Sequence, residues 1–373
     1  MGAAPDSSTV FRSFFLGGFE CSTHRVRDGR RLDMIAATRH DELALNDYQR
    51  LSAIGIRAAR DGFRWHLVDR GGGRLGFSSA LPLIRAARTT GVQVIWDLCH
   101  YGWPDDLDVL SPEFVDRFAR FAGEAAGVVA AEVPGTPFFL PINEMGYLAW
   151  AGGDTGYLNP FLKWHDRALK RQLVRAAIAA MDAIWSVTPD ARMVTVEPRT
   201  HLAPRHLDDP AHDRHREWEC EVWDMLAGRF EPELGGSPRY LDIVGINYFP
   251  SNQFHPDGTQ IEVEDPAYRP LRDILLEVAH RYGRPTFVGE TCATGERRGP
   301  WLRYVAAEVR AARLAGAAVE GICLYPIVDH PGWDHGEPWE VGMWSYPDEQ
   351  GRRAIHLDYA QQLRTEIAAQ EDR

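Results

Sequence analysis

Two glutamates each close an otherwise apolar run: Glu144 ends Phe138-Phe139-Leu140-Pro141-Ile142-Asn143, and Glu290 ends Thr286-Phe287-Val288-Gly289. Carboxyl groups brought together in one cleft can share acid, base and nucleophile work, because each shifts the proton affinity of the other. Taken alone, a glutamate at the end of a strand is as readily half of a structural ion pair. The other apolar runs also end in polar groups: Glu20 and His24, then Arg60, Asp61 and Arg64, then Asp97 and His100. Further along come Asn143, Glu197 and His201, Asn247 and Tyr248, and Tyr325, Asp329 and His330. Trp65, Trp96, Trp103, Trp150, Trp333, Trp339 and Trp344 lie at or beyond the same ends. Carboxylates among flat aromatic surfaces suit a sugar, whose hydroxyls need charged partners and whose C–H faces stack on rings.

The elements that must position these groups follow from periodicity. Short apolar runs at 14–20, 56–65, 92–100, 137–144, 191–198, 241–249, 284–291 and 320–329 read as strands. Segments near 41–54, 78–90, 112–131, 163–187, 213–228, 268–282, 300–315 and 355–369 carry apolar residues at helical spacing. Continuously apolar strands alternating with helices imply a parallel sheet covered on both faces, and eight such units favour closure. The expected fold is therefore α/β, a single (β/α)8 TIM barrel over residues 1–373. Length alone allows about two to three domains, but no linker divides the alternation. An open doubly wound sheet predicts a glycine-rich phosphate turn after an early strand. Gly71-Gly72-Gly73-Arg74-Leu75-Gly76 follows a polar loop instead and reads as a plain connection. In such a barrel the strand ends carry the active site, so the two glutamates, on the fourth and seventh strands, point into one cleft.

The charge sum, 41 basic against 53 acidic residues, gives −12, which repels nucleic-acid phosphates and anionic lipid. No nucleic acid and no membrane are expected as partners. Five cysteines, at 21, 99, 220, 292 and 323, show no CxxC and no disulfide framework, which suits a cytoplasmic protein. The first residues carry no basic-then-apolar signal, so an unexported chain is expected. The histidines of 201–215 raise a metal-dependent hydrolase as an alternative, but their spacing fits neither an HxH pair nor HExxH, and Pro204 and Pro210 interrupt them. No metal and no cofactor are expected.

At the motif level, Pro141-Ile142-Asn143-Glu144 resembles the Asn-Glu motif of the retaining glycosidases of clan A. The likeness extends to glycoside hydrolase family 1, the β-glucosidase-like family. Phe15-Leu16-Gly17-Gly18, Cys99-His100 through Pro104, Gly245-Ile246-Asn247-Tyr248, Gly289-Glu290 and Val341-Gly342-Met343-Trp344 are similar to its motifs in order. The resemblance implies Glu290 as nucleophile and Glu144 as acid/base. It implies Arg60 and Tyr248 beside the nucleophile, and Asn143, His100 and Asn247 among the substrate contacts. The chain departs from the family where a glycone-binding Gln becomes His24 and a Trp platform becomes Tyr325. It also reads Pro331-Gly332-Trp333 where the family has a hydroxyl-chelating Glu before a Trp, and Met145 where a Pro follows the Asn-Glu pair. These departures imply a retaining β-glycosidase whose glycone is not plain glucose, acting on a small-molecule glycoside or oligosaccharide. A sugar-binding barrel without turnover is the other expectation, and homo-oligomerisation stays open.

Overall fold

The computed structural model describes residues 9–71, 73–206, 209–333 and 336–371. Eight parallel strands close on themselves: β1 (Phe15–Gly18), β2 (Ala58–Gly62), β3 (Gln93–Cys99), β4 (Phe138–Ile142), β5 (Arg192–Pro198), β6 (Ile243–Asn247), β7 (Thr286–Thr291) and β8 (Val319–Leu324). Each pairs with the next in the chain, and β8 pairs with β1. The expected (β/α)8 barrel is the observed one. Around it lie α1 (His40–Ala53), α2 (Leu81–Thr90), α3 (Pro112–Glu132) and α4 (Asp166–Val187). The ring continues with α5 (Pro210–Trp218), α6 (Glu221–Leu226), α7 (Leu271–Tyr282), α8 (Arg298–Leu314) and α9 (Leu357–Glu371).

Several boundaries differ from the periodicity. The helix expected over 213–228 is two pieces, because Glu219 turns down to the backbone N–H and hydroxyl of Thr200 and faces Arg199 at 3.3 Å. Strand two stops at Gly62, and Trp65 opens a one-turn helix, Trp65–Val68, that buries its indole among Phe114, Phe118 and Phe121. Gly72 lies outside the described residues, while Asp69 and Leu75 beside it pair as an isolated antiparallel bridge that closes a loop.

Side chains on a strand alternate between its two faces, and here the alternation builds two cores. Leu16, Ala58, Ile95, Leu140, Val194, Val196 and Phe287 fill the barrel, with Phe11 plugging one end against Phe138 and Phe287. Ala59, Trp96, Val244, Ile246 and Val288 face outward and pack with the helices. Gly18 bears directly on the site. A Cβ on Gly18 would lie 2.0 Å from Cδ2 of Tyr325, so only glycine leaves room for that ring at the end of β8. Replacing Gly18 by Ala should therefore cost about 1–3 kcal/mol of stability through overpacking. Urea denaturation of the purified variant checks this, and an unchanged midpoint contradicts it.

Candidate active site

The C-terminal ends of the strands open into a cavity of about 900 Å³ lined by Glu20, His100, Tyr101, Glu144, Glu290 and Tyr325, among others. Its floor is built on Arg60, which points inward from β2 and is fully buried. The guanidinium donates to Glu290 Oε1 at 2.9 Å, Asp97 Oδ2 at 2.7 Å, Asn143 Oδ1 at 3.0 Å and the Gly289 carbonyl at 2.8 Å. The Tyr325 ring covers it at 4.8 Å. A buried cation is tolerated only when paired and hydrogen-bonded in this way.

Arg60 also orients the next shell. Because it holds Asn143 by its oxygen, the Asn143 amide nitrogen faces His100 Nε2 at 3.0 Å and the Tyr101 hydroxyl at 3.1 Å. Tyr101 in turn donates to Glu144, and Asn247 Nδ2 donates to Glu144 Oε1 at 2.8 Å. Both members of the first contact are backbone outliers: Tyr101 has φ 65° and Glu144 φ 44°, ψ 61°. Non-glycine residues in the left-handed region carry strain of order 1–3 kcal/mol, and such residues cluster at functional sites. Burial, the largest influence, and the carboxylates of Glu144 and Glu20 push Glu290 up to about 8, against the pull of Arg60 and His100.

The expected site residues do not all arrive. Glu144, Glu290, His100, Tyr325 and Trp333 line the cavity, and Arg60, Asn143 and Asn247 stand directly behind them. Tyr248 is a correction. It follows inward-facing Asn247 by one residue, so its ring turns outward, stacks on Trp301 and bonds Tyr268 and Gln253 at 2.9 and 2.7 Å rather than Glu290. His24 is a second correction: it is fully buried behind the cavity wall, edge-on to Trp333 at 4.5 Å, with neither ring nitrogen hydrogen-bonded. Glu20 reaches the cavity at this strand end instead. Of the tryptophans placed at the strand ends, Trp150, Trp333 and Trp339 line the cavity, whereas Trp65 and Trp96 belong to the outer core. Phe249, the last residue of the sixth expected strand, also lines it, as do Trp218, Tyr147, Tyr157 and Phe254, which carried no signal in the strand pattern. Asp61 faces outward and is bound by His40 at 2.9 Å and by Tyr48.

Three histidines of the long loop after β5 bond different partners: His201 the Ala267 carbonyl, His212 that of Leu202, and His215 the Thr200 hydroxyl. Among the described residues, the group close enough to hold a metal ion is Cys21, Asp97 and His100. It does not fit one. Arg60 already occupies Asp97 Oδ2, and the Asn143 contact at Nε2 leaves the proton of neutral His100 on Nδ1, the atom a metal would need.

Comparison with solved structures gives the fold its likeness. The chain superposes on the family 1 β-glucosidase from Thermotoga maritima with a TM-score of 0.76 at 16% identity, covering 96% of this chain and 98% of that one. The fold is that of the family 1 β-glucosidases. The same enzyme in complex with deoxynojirimycin matches at a TM-score of 0.77 and 16% identity, over 96% of this chain and 99% of that one. Its complex with noeuromycin gives the same score and identity over 96% and 98%. No protein-family model and no curated protein matches the sequence. No helix among the described residues is long and apolar enough to cross a membrane.

One further acid bears on the site. Glu197 faces outward from β5 beneath the turn that follows Glu144, accepts from the Gly146 N–H at 2.9 Å, and leaves Oε1 unbonded. Burial and then repulsion from Glu144 push it up from the carboxylate value of 4.5 to about 8. The folded protein thus holds a proton that the unfolded chain releases, so this contribution to stability is present at low pH and is lost as pH rises through about 8. Glu197→Gln, which keeps the Gly146 contact, should gain on the wild type between pH 5 and 8 by on the order of 2 kcal/mol. Denaturation midpoints across that range check it, and parallel curves for the two proteins contradict it.

Proposed function

We propose that the protein is a retaining β-glycosidase, with residues 1–373 acting as one catalytic domain. The observation that carries this reading is the pairing of Glu144 and Glu290 at one cavity, with Arg60 bonded to Glu290 alone of the two. In a double displacement, ionised Glu290 attacks the anomeric carbon while Glu144 gives its proton to the glycosidic oxygen, and the aglycone leaves as an alcohol. Glu144, now charged, takes a proton from water, whose oxygen breaks the glycosyl ester and returns Glu290 as carboxylate.

This cycle needs one proton on the pair, and the electrostatics supply it. Titration belongs to the pair rather than to either acid, and with Glu290 raised to about 8 one proton is retained at neutrality. Glycoside binding must therefore move the proton onto Glu144 while Arg60 keeps the charge of Glu290. The glycone is not plain glucose: His24 is withdrawn behind the wall, Glu20 lines the cavity, and Tyr325 ends β8. Substrates are small glycosides or oligosaccharides, no cofactor takes part, and the five free cysteines support work in the cytoplasm.

Against a panel of aryl β-glycosides, Glu290→Gln should lower turnover by about 10³-fold or more, the scale at which covalent catalysts lose their nucleophile. NMR of the first product should show retained configuration, and an inverted product overturns the assignment. The pH dependence follows from the pair. Above about 8 the acid's proton is gone, so kcat/KM should fall about tenfold per pH unit. Activity that stays flat to pH 10 contradicts a shared proton.

A further inference from the structure

The cavity holds a third carboxylate for which the double displacement has no use. Glu20 follows β1 and is 8% exposed, and that exposure is to the cavity. Its Oε1 accepts the Ser22 N–H at 3.1 Å, which fixes the carboxylate, and among the described residues no donor bonds Oε2. Burial acts to raise Glu20, but the imidazoles of His100 and His330 together with Ser22 outweigh it and hold it below the usual carboxylate range. A fixed, ionised carboxylate with free lone pairs is an acceptor for two neighbouring hydroxyls.

Its place decides what it meets. Glu20 lines the same cavity as Glu290 and His100, the cavity in which a sugar ring bonded to Glu290 lies. Trp150 and Trp218 line the rim. Trp333, which lines the cavity, offers an apolar edge for the same ring.

We infer that Glu20 is the specificity-determining residue of the glycone site, chelating two adjacent hydroxyls of the sugar whose anomeric carbon faces Glu290. This rests on the glycosidase reading for the orientation of the sugar, but binding tests it without turnover.

The experiment titrates wild type, Glu20→Gln and Glu20→Ala with methyl β-glucoside, β-galactoside, β-mannoside and β-xyloside, following tryptophan fluorescence, and then with the monodeoxy forms of the sugar that binds best. Hydrogen bonds to a charged group set the expected scale, a loss of about 10- to 100-fold in affinity for Glu20→Ala and a smaller one for Glu20→Gln. For two adjacent deoxy positions, the variant should lose little beyond the loss already caused by the missing hydroxyl, so the effects are not additive. Additive losses at every position overturn the inference, as does a sugar bound equally by all three proteins. Failure of the wild type to bind any of the four sugars also overturns it. A sugar bound through Glu20 but never hydrolysed sinks the glycosidase reading and leaves this one standing.

Discussion

The structure turns on one buried guanidinium. Arg60 ties the ends of β2, β3, β4 and β7 into a single network through Asp97, Asn143 and the Gly289–Glu290 segment. Out of water, a cation must be matched by fixed negative charge, and each acid that matches it must in turn be matched. Asp97 satisfies the floor, and Glu290 satisfies the cavity side. Asn143, held by its oxygen, is left with one amide face to direct at His100 and Tyr101. The orientation of Tyr101, and through it the hydrogen bonding of Glu144, follows from where Arg60 stands.

Charge balance also explains why the site is poised. Glu20, Asp97, Glu144 and Glu290 gather around one arginine, and Glu197 lies against the outer side of Glu144. Burial and mutual repulsion keep protons on part of this set at neutral pH. An acid that must donate and a nucleophile that must be bare can then arise from one shared proton. The left-handed backbone at Tyr101 and Glu144 belongs to the same economy of space, because it turns both side chains toward the opening just past the ends of β3 and β4.

Much of this was legible in the sequence, since an eight-fold alternation of apolar strands and helices leaves little choice but a closed barrel. The strand-end glutamates, Arg60, Asn143 and His100 were found because a polar residue ending an apolar strand has few places to go. What was misread came from neglecting the period of two. Asn247 faces the barrel, so Tyr248 must face the helices. Arg60 faces inward, so Asp61 must meet His40 and Tyr48. Beyond a strand end that parity lapses, and nothing in the order Glu20 to His24 told which would reach the cavity. The aromatic wall of Trp218, Tyr147 and Phe254 comes from loops and short helices whose path depends on tertiary contacts, such as Glu219 drawn down to Thr200.

The central claim is that the carboxylate held by Arg60 is the one that bonds to the sugar. It is tested most directly by incubating the protein with a fluorinated aryl β-glycoside that forms its glycosyl ester quickly and releases it slowly, then digesting it and reading the labelled peptide by mass spectrometry. The account predicts one sugar per chain, on the peptide that contains Glu290. A label on Glu144 or Glu20, or active protein that turns over aryl glycosides and takes no label, contradicts it.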